Sequence, residues 1–184
     1  DLHAYHRRQR QMCIRDRLDI LSLMEKDGIS VSLPKMKKLS KQLSKELESL
    51  SNKCFKITNQ EFNLNSPKQL SEIFYNEMNF PVLKKTPKGA PSTDASVLEE
   101  LSKEHDLPKY ILKYRELEKI RSTYVDGLIP EVTKHNKIHT HFNLFGTATG
   151  RLSSEKPNLQ NIPNKTELGQ KIRDFFISLS LIHI

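Results

Sequence analysis

The apolar positions of this chain recur mostly at helical intervals. Leu18, Leu21 and Met24 mark one side of a short helix that Asp27-Gly28 should stop, and Ile29-Ser30-Val31-Ser32 then alternates as a brief strand would. Pro34 suits the first turn of a helix, and beyond it Met36, Leu39, Leu43, Leu47 and Leu50 step by three and four with lysines and glutamates between. That spacing predicts an amphipathic helix of about four to five turns. A coiled-coil dimer would use the same stripe, but about two heptads is shorter than such a pairing needs, so packing within the chain is expected. The lysines read as a solvated face, which can also lie along a phosphate backbone.

Further on, Phe62-Asn63-Leu64-Asn65-Ser66-Pro67 announces a helix: Ser66 caps, Pro67 takes the first turn, and Gln69 completes a capping box. Leu70, Ile73 and Phe74 form its buried face, and it should end near Asn79. Lys84 to Asp94 is a loop rich in Lys, Pro and Gly, closed by Ser92-Thr93-Asp94 before the apolar pattern of Val97, Leu98 and Leu101. These three residues are natural caps. With Lys84, Lys85 and Lys88 nearby, free N–H groups at the helix start would also make a phosphate-binding tip, with Asp94 either capping or opposing a phosphate. Pro108 opens the next helix, with Tyr110, Tyr114, Leu117, Ile120, Tyr124 and Leu128 as its inner stripe. Near its end, Lys119, Arg121, Ser122, Thr123 and Tyr124 either contact successive phosphates or simply complement the helix dipole. Ile138-His139-Thr140-His141-Phe142 alternates like a strand. His139 and His141 share one face, but no Cys, Asp or Glu stands near them in the sequence to complete a metal site, so entry into a sheet is the expected role.

From Thr147 to Phe176 the periodicity fades into a polar loop punctuated by Gly150, Pro157 and Pro163. It holds Arg151 and the carboxamides Asn158, Gln160 and Asn161. Carboxamides donate and accept at once, which suits base edges, although Asn, Ser and Pro also make turns for local reasons.

Composition adds a basic balance, 30 Lys and Arg against 22 Asp and Glu, or +8. The chain ends change that figure. Arg7 to Arg17 resembles a translated transposon-based sequencing adapter, and the reverse complement of one back-translation of Met12–Arg17 encodes Leu-Ser-Leu-Ile-His and then, most often, Ile, matching residues 179–184. One inverted DNA repeat thus accounts for both ends, whereas a basic nucleic-acid-binding arm or a transit peptide would explain only the first. Without 1–17 and 179–184 the count is 25 basic against 20 acidic, +5, which fits nucleic acid and many other partners. Of the two cysteines only Cys54 is left, too few for an internal disulfide and consistent with a buried small hydrophobe in a reducing compartment. No apolar run approaches the roughly 20 residues that span a bilayer.

Thr147-Ala-Thr-Gly-Arg-Leu-Ser-Ser154 followed by Pro157-Asn-Leu-Gln-Asn-Ile-Pro163 resembles the loop that precedes the first catalytic aspartate of family A DNA polymerases, the bacterial DNA polymerase I group. The similarity continues through Leu168-Gly-Gln-Lys-Ile-Arg173, and Phe62-Asn-Leu-Asn-Ser66 is similar to the start of a thumb helix in that family. It spans nearly all of Leu18 to Ile177. The resemblance implies a mainly α (α+β) fold: a long helical thumb arm with a short β segment opening the palm. It divides the chain into 1–17 adapter-like, 18–130 thumb-like, 131–178 start of palm, and 179–184 adapter-like.

It further implies a fragment of a DNA-directed DNA polymerase of replication and repair, gripping primer–template duplex DNA. Arg151 would reach the minor groove at the primer terminus, Asn158, Gln160 and Asn161 would lie along that groove or support the loop that does, and Thr149 would bind DNA beside them. Ser92, Thr93, Lys85 and Lys88, with Lys119, Arg121, Ser122, Thr123 and Tyr124, would hold the backbone. The family's two palm aspartates, which hold two Mg2+ ions, fall after Phe176. This stretch is therefore expected to bind no metal and to be inactive alone, with deoxynucleoside triphosphates a partner of the parent only. A monomer in the bacterial cytoplasm, at the nucleoid and off the membrane, is expected. A non-enzymatic helical module binding DNA or protein is the alternative.

Overall fold

The computed structural model describes residues 18–87, 89–144, 146, 151–163 and 165–177. Lys88, Thr149 and both adapter-like ends lie outside the described residues. Two compact units divide the chain: residues 38–123 form one, and the segments on either side form the other. The sequence-based boundary at 130/131 differs from this, because residues 18–37 and 124–130 group with the later segment. Strand pairing explains the grouping, since Ile29 lies opposite Ile138 and Ser30 opposite Lys137.

In the discontinuous unit, helix α1 runs through residues 18–27. Gly28 ends it at φ +65, its N–H bonding the Met24 carbonyl at 2.9 Å. The helix forms as expected, with Leu18 and Met24 of its apolar side 50% and 48% exposed. What ties α1 down is polar. Lys137 Nζ donates to the Asp27 carbonyl at 2.7 Å, and His141 Nδ1 lies 3.0 Å from the Glu25 carboxylate. Strand β1, Ile29–Ser30, pairs with β2, Lys137–Ile138, and Val31 bridges to Phe176. The single strand expected across 138–142 is instead two, because β3, His141–Asn143, leaves β2 to pair with β4, Ser153–Glu155. Helix α6, Glu167–Arg173, was hidden in the polar loop; Thr166 caps it, accepting from the Gly169 N–H at 3.1 Å. Val31, Val125, Leu128, Ile138, Ile172 and Phe175 fill the core.

The unit of residues 38–123 is helical. Helix α2, Leu33–Thr58, enters it and is longer than the four to five turns expected. Cys54, fully buried, carries the buried stripe one step beyond Leu50, and Asn59 stops the helix at φ +52. Burial pushes the Cys54 thiol up to about 11, so it packs as a small hydrophobe. Helix α3, Pro67–Glu72, passes into a π-helical turn, Ile73–Glu77, and Asn79 at φ +52 ends the run. Ser66 caps it as expected, but Gln69 reaches past the cap to the Asn63 N–H at 2.8 Å. Helices α4, Ala95–Leu101, and α5, Asp106–Ile120, close the core over Leu70, Phe74, Leu98 and Ile111. Helix α5 begins two residues before Pro108. Its inner stripe uses Leu107 and Ile111, while Tyr110 and Tyr114 stay half-buried beside them. A tyrosine keeps its hydroxyl wet where an aliphatic side chain does not need to.

Candidate nucleic-acid interface

The loop between β4 and α6 is held from several sides. Thr140 Oγ1, buried between β2 and β3, donates to the Pro157 carbonyl at 2.7 Å and lies 3.2 Å from that of Glu155. Buried Ser154 accepts from the Leu159 N–H at 3.1 Å, and its hydroxyl lies 3.4 Å from Asn158 Oδ1. The same Asn158 oxygen accepts from the Gln160 N–H at 3.1 Å. Asn158 therefore supports the loop with its oxygen. The Tyr124 hydroxyl donates to the Asn161 carbonyl at 2.7 Å. At the far end, a Cβ on Gly169 would stand 2.5 Å from the Pro163 carbonyl, so only glycine lets α6 approach the loop this closely. Leu159 and Ile162 turn toward Ile29 and Phe176, where they line an apolar cleft of about 300 Å³. Around this frame Asn158, Gln160 and Asn161 are exposed, as are Lys156 and, before β4, Arg151. Thr149 lies outside the described residues.

Two further groups lie on the unit of residues 38–123. At the end of α5, Lys119 and Thr123 are exposed. Ser122 is exposed too, but its hydroxyl donates back to the Glu118 carbonyl at 2.7 Å. Arg121 is engaged: Nη2 lies 3.5 Å from Glu118 and Nη1 3.4 Å from Ser44 Oγ. Tyr124, expected with this group on the backbone, is tied to the carboxamide loop by its hydrogen bond to Asn161. The π-helical turn Arg121–Asp126, in which both lie, was not foreseen; such widened turns recur at functional sites.

The second group is the loop before α4, which is a tight hairpin rather than an open tip. Lys85 bridges Pro91, the Thr86 N–H bonds the Ala90 carbonyl at 2.7 Å, and Gly89 turns at φ +82. Lys84 and Lys85 are exposed, and Lys88 lies outside the described residues. Ser92 and Thr93, expected at the surface, are buried at 6% and 7%. The Tyr75 hydroxyl donates to the Ser92 carbonyl at 2.6 Å and Arg115 Nη1 to that of Thr93 at 3.0 Å, so the backbone here is held against the helices of this unit. Nor is the start of α4 open to an anion. Asp94 caps it, accepting from the Val97 N–H at 3.1 Å, and pairs with Lys84. The Lys84 ammonium foremost, then Ser96 and the Val97 N–H, hold its carboxyl well below the usual carboxylate range.

Three contributors escaped the sequence reading. Ser154 sits inside the quoted loop but carries no sign of burial, and Arg115 looks like any helical charge. Thr140 had one visible clue, its place opposite the two histidines in an alternating run.

The sequence model of the family described as DNA polymerase family A matches residues 33–183, most of the chain. The chain belongs to DNA polymerase family A. It is 46% identical over 160 residues to DNA polymerase I of Bacillus subtilis and 43% over 162 residues to the thermostable DNA polymerase I of Thermus aquaticus, covering 86% of this chain in each case. It spans only 18% and 19% of those relatives. Among solved structures, it resembles the POL domain of Pol1 from M. smegmatis in complex with DNA primer-template and dNTP. That match has a TM-score of 0.79 at 38% identity and covers 85% of this chain and 28% of that one. For this family A chain the mainly α architecture agrees with the expectation from sequence.

Proposed function

We propose that this chain is a segment of a DNA-directed DNA polymerase and that its own part in template-directed synthesis is to grip the primer–template duplex. The observation that carries the reading is the similarity, over 85% of the chain, to a polymerase domain complexed with primer-template and dNTP. Residues 18–130 act as a thumb and 131–178 open the palm. Lys119, Thr123 and Lys85 supply charge and hydrogen bonds for the phosphate backbone, with Ser122 beside them; Arg121 sets the end of α5, and buried Ser92 and Thr93 shape the hairpin. Arg151, Gln160 and Asn161 address the minor groove. Purine N3 and pyrimidine O2 are acceptors in every correct pair, so donors there test pair shape without reading sequence.

Among the described residues no three His, Cys, Asp or Glu side chains converge to hold a metal. The metal site and the binding of deoxynucleoside triphosphates belong to other parts of the parent. No helix among the described residues is long and apolar enough to cross a membrane. The parent works as a monomer in the bacterial cytoplasm, at the nucleoid.

Duplex binding by the 184-residue chain, read by fluorescence anisotropy with a labelled primer–template hairpin, tests the reading. Saturable binding that weakens with salt supports it, and no binding at low ionic strength overturns it. The adapter reading of 1–17 and 179–184 is tested separately, by re-sequencing the source DNA across codons 17/18 and 178/179; the second segment overlaps the family match, which runs to residue 183.

A further inference from the structure

Tyr124 reaches the loop from outside it. The π-helical turn Arg121–Asp126 widens the end of α5, burying Val125 and leaving Tyr124 half-buried with its hydroxyl 2.7 Å from the Asn161 carbonyl. Along the Asn158–Asn161 turn, the Leu159 and Gln160 N–H groups are already satisfied by Ser154 and Asn158. These bonds lie on the N-terminal side of the turn. Ser154 belongs to β4, immediately before the turn, whereas Tyr124 reaches the Asn161 carbonyl from a segment 37 residues away, and the exposed Gln160 and Asn161 side chains flank that carbonyl.

We propose that Tyr124 is a positioning residue for duplex binding: its hydroxyl, bonded to the Asn161 carbonyl, holds the Gln160 and Asn161 carboxamides in the orientation that meets the minor groove. The inference rests on the duplex-binding reading above. It differs from a direct contact in one physical respect. A tyrosine that touched DNA would leave the DNA-free loop unchanged when its hydroxyl was removed, whereas a strut loosens the loop before any DNA arrives. The cost to affinity then comes from ordering the carboxamides on binding.

Tyr124→Phe removes only the hydroxyl and keeps the ring. In the DNA-free chain, amide hydrogen exchange in peptides covering residues 158–163 should quicken about three- to tenfold, the factor that one net hydrogen bond gives. Affinity for the primer–template hairpin should fall by about the same factor. The slope of affinity against salt should stay the same, since no charge is lost. In a Gln160→Ala, Asn161→Ala background the same substitution should change affinity less than about twofold, because the groups it positions are gone. Unchanged exchange in the DNA-free variant overturns the proposal, as does a full affinity loss in the double-alanine background. If the unsubstituted chain itself does not bind, the duplex reading falls and takes this proposal with it. A chain that binds but shows no change at residues 158–163 removes the proposal alone.

Discussion

Gly28 ends α1 at φ +65, and a Cβ there would sit 2.8 Å from two atoms of the His139 ring. Gly28→Ala therefore combines a left-handed backbone with a steric clash, and should cost about 1–3 kcal/mol. A urea titration of the 184-residue chain would show this as a lower midpoint at an unchanged slope. Asp94 makes a pH prediction. Its folded carboxyl titrates below the unfolded value of about 3.9, because Lys84 and the α4 N-terminus favour the charged form. Its contribution is thus complete above that unfolded value and is lost as pH falls further. The gap in urea midpoint between the parent chain and Asp94→Asn should be constant from about pH 7 to 5 and shrink below about 4. At this scale the sequence was legible where a residue's local role suffices: Ser66 as a cap, Gly28 as a stop, Cys54 as a core group. It was not legible where distant chain decides. Nothing in Ser92-Thr93 announces that Tyr75 and Arg115 will bind their carbonyls or that both residues will be buried.

Among the helices, Arg115 stands out as a tie. From α5 its Nε donates to the Leu64 carbonyl at 3.1 Å and its Nη1 to that of Thr93 at 3.0 Å, so one guanidinium fixes the approaches to both α3 and α4. Burial lowers its pKa, and Nη2 is enclosed without a partner among the described residues. Arg115→Met should cost about 2–4 kcal/mol by stranding two buried carbonyls. Arg115→Lys should recover only part of that, since one ammonium does not span both acceptors. Urea denaturation of the two variants side by side checks the order. The long helices were legible because a stripe such as Met36 to Leu50 repeats often enough to outweigh accident. Helix α6 and strand β4 were not, for the opposite reason. Each is too short to show a period: β4 exists because it pairs with β3, and α6 because Thr166 caps it and Gly169 lets it close on Pro163.

For the whole molecule, the duplex reading makes a quantitative demand on salt. Each phosphate that a lysine neutralises adds about 0.9 to the slope of log affinity against log salt, so Lys119→Gln should flatten that slope by about one. Gln160→Ala should weaken binding with the slope unchanged. Primer extension with added Mg2+ should be undetectable in the 184-residue chain at any salt; measurable extension would place catalysis within it. The position of the candidate site was legible from one quoted loop. Its internal division into exposed carboxamides and a buried supporting frame was not, since Asn158, Gln160 and Asn161 look alike in sequence.

The pairing of Ile29 with Ile138 also has a consequence in time. During synthesis at about 5–20 residues per second, the first strand waits roughly 5–20 s for its partner to be made. The intervening helices can fold locally meanwhile, but β1 stays an open edge available to any passing extended chain. The yield of correctly folded protein should thus depend on translation speed and on chaperones that shield the nascent β1 segment, more than on the stability of the finished fold.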